Sequence, residues 1–331
     1  MRTKRENRPG RKSRSCLSPE ILVLSSKFDI SVDYVIARLL EQGTQYLRLN
    51  SEDLSTWRLE LDPLSTTLRG QKEEIEFYIT PQELRSVYFR RPVYLREYGV
   101  PFPTDAQHER IQWASFYRNL MVFDHCLWVN CPASTYVAEH KAVQLQKAQQ
   151  VGFEVPWSRV VNHLHDGILD LENDQVVAVK GLDTVLVRSA TEELFGYTSL
   201  MPMSDLTGES LQQAPFILQQ ALDAKIDIRV TVVAEEIFAV AILKNGKPVH
   251  GDWRREKNTL SYKPITLPVE IQTKCRRLTK RLGLTFAAID LALCDGKYFF
   301  LEVNPTGEWA WLVDCAHLPI DVSLASCLAR G

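Results

Sequence analysis

Two carboxylates and an amide sit where apolar strands should carry none. The stretch 285–311 reads TFAAIDLALCDGKYFFLEVNPTGEWAW, with apolar runs at 286–293 and 298–303 around Asp295-Gly296. That dipeptide is a strong hairpin-turn signal. Asp290 interrupts the first run, Glu302 closes the second, and Asn304 follows two positions later. In a strand, Glu302 and Asn304 leave the same face. A hairpin can bring Asp290 opposite that face. Two carboxylates and an amide oxygen so converged suit a hard cation such as Mg²⁺, shared with substrate phosphates. An edge-strand acid facing water is an equally good reading of Asp290 alone. It accounts poorly for the ensemble AIDLAL and FLEVNP.

Cations that could meet phosphate lie upstream. The run VVAV ends in Lys180. A lysine terminating a buried strand can pack its stem while its ammonium reaches a phosphate. Asp227 and Arg229 share one face of a strand over 227–233, either as a fork for phosphate or carboxylate or as a surface ion pair of small value. Arg90 and Arg91 close a strand over 87–89. Adjacent arginines there can hold an anion, but spacing alone favours a solvated edge.

These side chains need a scaffold. An apolar strand at 21–24, a helix whose Val32, Val35, Ile36, Leu39 and Leu40 keep helical spacing, and a strand near 46–49 predict an α/β layer with a parallel sheet. Further strands are expected at 76–79 and 87–89, a helix over 108–121 and a strand at 127–130. A long helix is expected over 133–150, then strands at 158–161 and 176–179. Another strand, from 216 to its close at Gln219, runs into a polar linker through 222 and precedes the strand at 227–233. A hairpin at Asn245-Gly246 should pair 237–243 with a strand ending at 252–254. Ile271, Cys275, Leu278 and Leu282 form one helical stripe, with Lys274, Arg276, Arg277, Lys280 and Arg281 on the other faces; a last helix spans 321–329.

The bulk numbers narrow the class. At 331 residues, 45% hydrophobic and 24% charged, the chain reads as a globular protein of more than one subdomain. A formal net charge of −2 gives no case for nucleic-acid binding. No apolar run is long enough to span a bilayer, so no membrane partner is expected. The basic opening MRTKRENRPGRKSRS has no apolar core, so it is not a secretory signal; residues 1–19 read as a disordered tail. Seven dispersed cysteines without a C-x-x-C pair read as reduced thiols of a cytoplasmic protein. No G-x-G-x-x-G follows the first strand, which argues against a Rossmann cofactor site.

From about Ile21 to its end the sequence resembles the ATP-grasp superfamily. The hairpin matches its Asp…Glu-x-Asn magnesium pattern at Asp290, Glu302 and Asn304. With TyrPheArgArgPro, AspTrpArg and GlyGluTrpAlaTrp it resembles, more narrowly, the microviridin-type (graspetide) peptide maturases. The resemblance implies an α/β fold: a pre-ATP-grasp domain over 20–131, a linker helix and central lobe over 132–215, and a C-terminal lobe over 216–331. It implies ATP and Mg²⁺ as cofactors, with Lys141 and Lys180 on the nucleotide phosphates and Gln219, Gln220, Ala221 and Leu222 as the adenine-binding hinge. Asp227 and Arg229 then lie at the nucleotide, with Arg229 on the transferred phosphate and, with Lys180, catalytic. An acid is usual where Gln220 stands, so a side-chain contact there to the adenine amino group is not implied. Arg90, Arg91, Asp252, Arg254 and Trp309 become candidates for substrate contact. The implied activity is activation of Asp or Glu side chains of a ribosomally made precursor peptide (leader and core) as acyl phosphates, then closure of ω-ester or ω-amide rings. A homodimer is implied by the family alone. A ligase joining amino acids, or adding them to a protein tail, is the alternative on the same fold. A nucleotide-binding protein without catalysis would need a broken metal site.

Overall fold

The computed structural model describes residues 16–90, 104–164, 174–183, 186–188, 193–206 and 209–331. Arg91, most of the basic tail and parts of the segment between Lys180 and Ser199 lie outside them.

The N-terminal domain is built on a parallel sheet. The strand Ile21–Ser25 is central, flanked by Tyr46–Asn50 and Ser86–Phe89, with Leu127–Val129 outside the latter. Ile21 to Leu24 have no exposed surface, as expected of a strand covered on both faces. A second four-stranded sheet, Cys16–Leu17, Ile75–Ile79, Thr67–Lys72 and Arg58–Asp62, folds alongside it. The sequence reading missed three of its strands: Cys16–Leu17, which it placed in the disordered tail but which pairs with Ile75–Ile79, Thr67–Lys72, and Arg58–Asp62, which alternates exposed charges with half-buried leucines and is weakly apolar.

The expected helix over 133–150 is two helices, Pro132–Ala138 and Lys141–Gln150. The buried Gln144 explains the break. Its Nε2 donates to the Ala138 carbonyl at 2.6 Å and the Val303 carbonyl at 2.8 Å, and its Oε1 accepts from the Val303 amide at 3.0 Å. The Gln144 side chain thus satisfies the Ala138 carbonyl that a continuous helix would have used, while Val303 holds that side chain in place.

The central lobe is an antiparallel sheet in the order Ser199–Pro202, Val176–Gly181, Phe216–Gln220, Ser158–Val161. The strand Phe216–Gln220, placed by sequence at the start of the C-terminal lobe, therefore hydrogen-bonds within the central one. The C-terminal sheet runs Leu260–Pro264, Glu236–Lys244, Ile226–Val233, Phe286–Cys294, Lys297–Asn304. The partner of Glu236–Lys244 is Leu260–Pro264 and not a strand ending at 252–254. Asp252 instead caps the 3₁₀ helix Trp253–Thr259, its side chain accepting from the Arg254 amide; a short acidic side chain satisfies a free helix-end donor better than it continues a strand.

One face of the C-terminal sheet carries Ile228, Val230, Val232, Ala287, Ile289 and Leu291 into a core with the helix Val269–Arg281, whose predicted stripe is buried. The other carries Val233, Phe286 and Ala288 into a core shared with the N-terminal parallel sheet and the helices Ala310–Ala316 and Ile320–Arg330. Asp227, Arg229 and Asp290 are on that second face too, by the two-residue period. Where the shared core ends along these strands, the ionic residues begin.

Candidate active site

The hairpin forms as read. Asp295 and Gly296 take φ of 48° and 75°, the left-handed pair of a tight two-residue turn. Asp290 pairs with Glu302, and Ala288 with Asn304, in the antiparallel register. On the other side Asp290 pairs with Arg229. Arg229, Asp290 and Glu302 thus form one row across three strands. A bulge makes this possible: Leu291 pairs with Phe300 and Asp290 with Glu302, leaving Leu301 as the extra residue. Phe300 and Val303 both enter the core, three positions apart, which a regular strand would not permit. The bulge resets the phase so that Glu302 and Asn304 face the row.

Arg229 Nη1 donates to both Asp290 carboxylate oxygens, at 2.9 and 3.0 Å, and Nη2 to the Glu308 carbonyl at 3.2 Å. Asp227 does not pair with Arg229; it takes the ammonium of Lys225. Both acids are nearly buried, so each holds the nearest cation. Arg254 grips Asp252 through Nε at 2.9 Å and Nη2 at 2.7 Å, and Nη1 lies 3.5 Å from Glu302. Lys141 starts its helix beside the hairpin; its Nζ donates to the Gly181 carbonyl at 3.0 Å and is 4.0 Å from Glu302.

Several of these side chains line one end of a cleft between the central and C-terminal sheets. Lys180, Gln219, Gln220, Ala221, Leu222, Lys225, Asp227, Asp252, Arg254, Asp290 and Glu302 all line it. The segment 219–222 forms the wall where the lobes join. Gln219 Nε2 donates to Ser158 Oγ at 2.8 Å, and Gln220 Oε1 accepts from the Trp157 amide at 3.4 Å. Both glutamine side chains are thus engaged with the neighbouring edge strand, and the backbone and apolar surface of 221–222 remain for a planar ligand.

The electrostatics suit a polyanion. Burial pushes the Lys180 ammonium down to about 8, with Lys141, Lys225 and Arg254 reinforcing the shift against the opposing pull of Glu302. Burial also lifts the Asp290 carboxyl to about 6, offset in part by Arg229 and increased by Glu302. For Glu302 burial is outweighed by Arg254, Lys141 and Lys180, which hold it below its ordinary range. Two groups of like charge are thus crowded. Lys180 is strained toward losing a proton and Asp290 toward gaining one, and an anion and a cation bound together would relieve both.

The donor set fits Mg²⁺. Among the described residues no group of three or more His, Cys, Asp or Glu could hold a metal. Two carboxylates and one amide oxygen leave most of an octahedral shell to phosphate oxygens and water, as Mg²⁺ prefers.

Two expected substrate residues turn inward. Trp309 has no exposed surface and packs edge-on against Tyr34, with ring centroids 6.4 Å apart, in the core between the domains. It cannot touch a peptide. Arg90 is 5% exposed and holds the loop after Asn304 through the Thr306 and Gly307 carbonyls. Its neighbour Arg91 lies outside the described residues. Sequence reasoning missed Lys225, although Lys225, Asp227 and Arg229 recur every second residue on one face. It also missed Asn130, whose side chain accepts from the Thr285 and Phe286 amides and donates to the Phe286 and Pro305 carbonyls, all within 2.9 Å. That residue ties both ends of the hairpin to the N-terminal sheet.

Solved structures place the architecture. The chain superposes with a TM-score of 0.77 on the macrocyclase MdnC of Microcystis aeruginosa MRC bound with precursor peptide MdnA, at 22% identity over 94% of this chain and 99% of that one. The chain has the ATP-grasp fold. A RiPP-associated ATP-grasp ligase of Chryseobacterium gregarium, in complex with ADP and a leader and core peptide, gives 0.79 at 20% identity over 94% and 96%. The ATP-grasp ligase PsnB with a phosphomimetic variant of its minimal precursor, Mg and ADP gives 0.72 at 18% over 94% and 98%. No family model matches the sequence, and no curated protein does. Among the described residues no helix is long and apolar enough to cross a membrane.

Proposed function

We propose that this protein is an ATP-dependent ligase that activates Asp or Glu side chains of a ribosomally made precursor peptide and closes ω-ester or ω-amide rings. The carrying observation is the cleft whose cations converge on the Arg229–Asp290–Glu302 row, in a fold that in similar structures accompanies ADP, Mg and precursor peptides.

The chemistry needs alignment and charge neutralisation more than a protein nucleophile. A peptide carboxylate oxygen attacks the γ-phosphorus of ATP; ADP leaves and an acyl phosphate remains. A hydroxyl or amine of the same peptide then attacks the acyl carbon. Inorganic phosphate departs and the nucleophile gives up its proton, so each ring costs the peptide one water. Lys180, Lys141 and Lys225 would neutralise the nucleotide phosphates. Arg229 and Arg254 lie beside the acids that would hold the metal, where charge develops on the transferred group. Asp290, Glu302 and Asn304 would hold Mg²⁺, which would supply positive charge to neutralise the phosphates. Arg254 is held by Asp252, so these two orient the end of the cleft. We extend the reading to a cytoplasmic homodimer; a monomeric mass by light scattering would remove that part.

The test is the intact mass of a precursor peptide encoded beside the gene, after incubation with enzyme, ATP and Mg²⁺. Loss of whole waters, abolished by Glu302→Ala, supports the reading. ADP release with mass gain only when free amino acids are added would move the protein to the tailing or amino-acid ligases.

A further inference from the structure

We propose that Arg90 is a positioning residue that sets the metal site from the N-terminal domain, rather than a residue that meets substrate. This rests on the reading of Asp290, Glu302 and Asn304 as metal ligands.

Arg90 stands just past the carboxyl end of the parallel strand Ser86–Phe89. Its Nε donates to Ser31 Oγ at 3.1 Å and faces Asp29 at 3.2 Å. Its Nη1 donates to the carbonyls of Thr306 at 2.7 Å and Gly307 at 3.1 Å, and Nη2 lies 2.9 Å from the Glu308 carboxylate. One buried guanidinium therefore joins the start of the helix Ile30–Glu41, which Asp29 caps, to three successive loop residues.

The loop leads directly to Asn304. The Gly307 amide donates to the Asn304 carbonyl at 3.2 Å. Arg229 holds the same loop from the other side through the Glu308 carbonyl while it grips Asp290. Gly307 is wedged between them: a Cβ there would lie 2.5 Å from the Ala288 Cβ, 3.0 Å from Arg229 Nη2 and 3.1 Å from the Asn304 Cβ. A shift of the loop cannot be absorbed at Gly307 and must move Asn304, Arg229 or both. Arg90 is the N-terminal domain's grip on that lever, and its fork makes bonds that one lysine ammonium cannot all replace.

The experiment measures ADP affinity twice for each protein, once in EDTA and once in saturating Mg²⁺, by titration calorimetry. The ratio of the two dissociation constants isolates the metal-dependent part, and no turnover or peptide is involved. Arg90→Met is expected to reduce this ratio at least tenfold while leaving the EDTA value within twofold. Arg90→Lys should fall between. If Arg90→Met does not fold, Asp29→Asn carries the test. Asparagine caps a helix as well as aspartate, so the helix stays while Arg90 loses an anionic partner, and the ratio should drop two- to fivefold. A ratio unchanged in every folded variant, or an equal weakening of both constants, overturns the proposal. A wild-type ratio of one would instead overturn the metal reading on which it rests.

Discussion

The Arg229–Asp290 pair allows a quantitative test without substrate. Arg229 and Asp290 side chains are 8% and 14% exposed, and Asp290 has its strongest bonds to that one guanidinium nitrogen. Replacing Arg229 by Met keeps the packing volume roughly but strands the carboxylate. Breaking one side of a buried pair costs about 3–5 kcal/mol because the remaining charge is uncompensated. The penalty depends on pH in a defined direction. The Asp290 folded value, about 6, lies above its ordinary 3.8. The native state therefore takes up the proton first, and folding stability falls as pH rises from about 3.8 to about 6 and is flat above. In Arg229→Met the folded value rises further, so stability keeps falling above pH 6, by about 1.4 kcal/mol per unit, until the new value is passed.

The difference between wild type and variant should then be about 1–2 kcal/mol at pH 5.5, from lost hydrogen bonds, and about 3–5 kcal/mol at pH 8. The assay is urea unfolding in EDTA by circular dichroism and tryptophan fluorescence, with coincident transitions confirming that one free energy applies. Adding Asp290→Asn to Arg229→Met should recover about 2 kcal/mol or more at pH 8 and almost nothing at pH 5.5. A pH-independent penalty, or a double variant weaker than the single at pH 8, would refute the account of Asp290 as a carboxylate held ionised by Arg229.

Other predictions follow from single contacts. Lys180 loses its proton near pH 8, so metal-free ADP affinity should fall from pH 7.5 to 9.5, by at most about tenfold per unit, and Lys180→Arg should flatten that slope in a fluorescent-ADP titration. Gly307→Ala places a methyl 2.5 Å from the Ala288 Cβ; it should lower stability by about 1–3 kcal/mol, and Ala288→Gly in the same chain should return part of that loss in urea. Gly70→Ala would drive a methyl into the Phe77 ring and Leu59; the N-terminal sheet should lose about 1–3 kcal/mol while calorimetric ADP affinity of the folded protein stays unchanged.

What sequence could and could not show divides along a physical line. The hairpin of Asp290, Glu302 and Asn304 was legible because its cues are local: a two-residue turn that needs positive φ, apolar runs of strand length, and acids that interrupt them. The parallel sheet and the helix stripe of Ile271, Cys275, Leu278 and Leu282 were legible for the same reason. The break before Lys141 was not, because a helix-permissive sequence is bent by Gln144 reaching a strand some 159 positions away. Nor was the partner of Asp227: on one strand face, Lys225 and Arg229 are equally near in sequence, and only Asp290 on the adjoining strand decides which of them is claimed. Trp309 looked like a binding residue because aromatic motifs suit both recognition and cores, and burial by two further helices settles it as core.

The misreadings share a consequence for how the site is built. Arg90, Asn130, Gln144 and Trp309 are not among the residues that line the cleft, yet each fixes an end of the strand Lys297–Asn304 or the loop after it. Arg90 and Asn130 hold the 305–308 loop, Gln144 holds both backbone groups of Val303, and Trp309 seats the following helix in the shared core. The strand that carries Glu302 and Asn304 is thus set by the N-terminal domain as much as by its own sheet. Lys180, by contrast, is carried by the central sheet. Nucleotide binding between them would therefore draw on two separately built walls, joined by the segment 221–225, where Ala224 takes a φ of 49°.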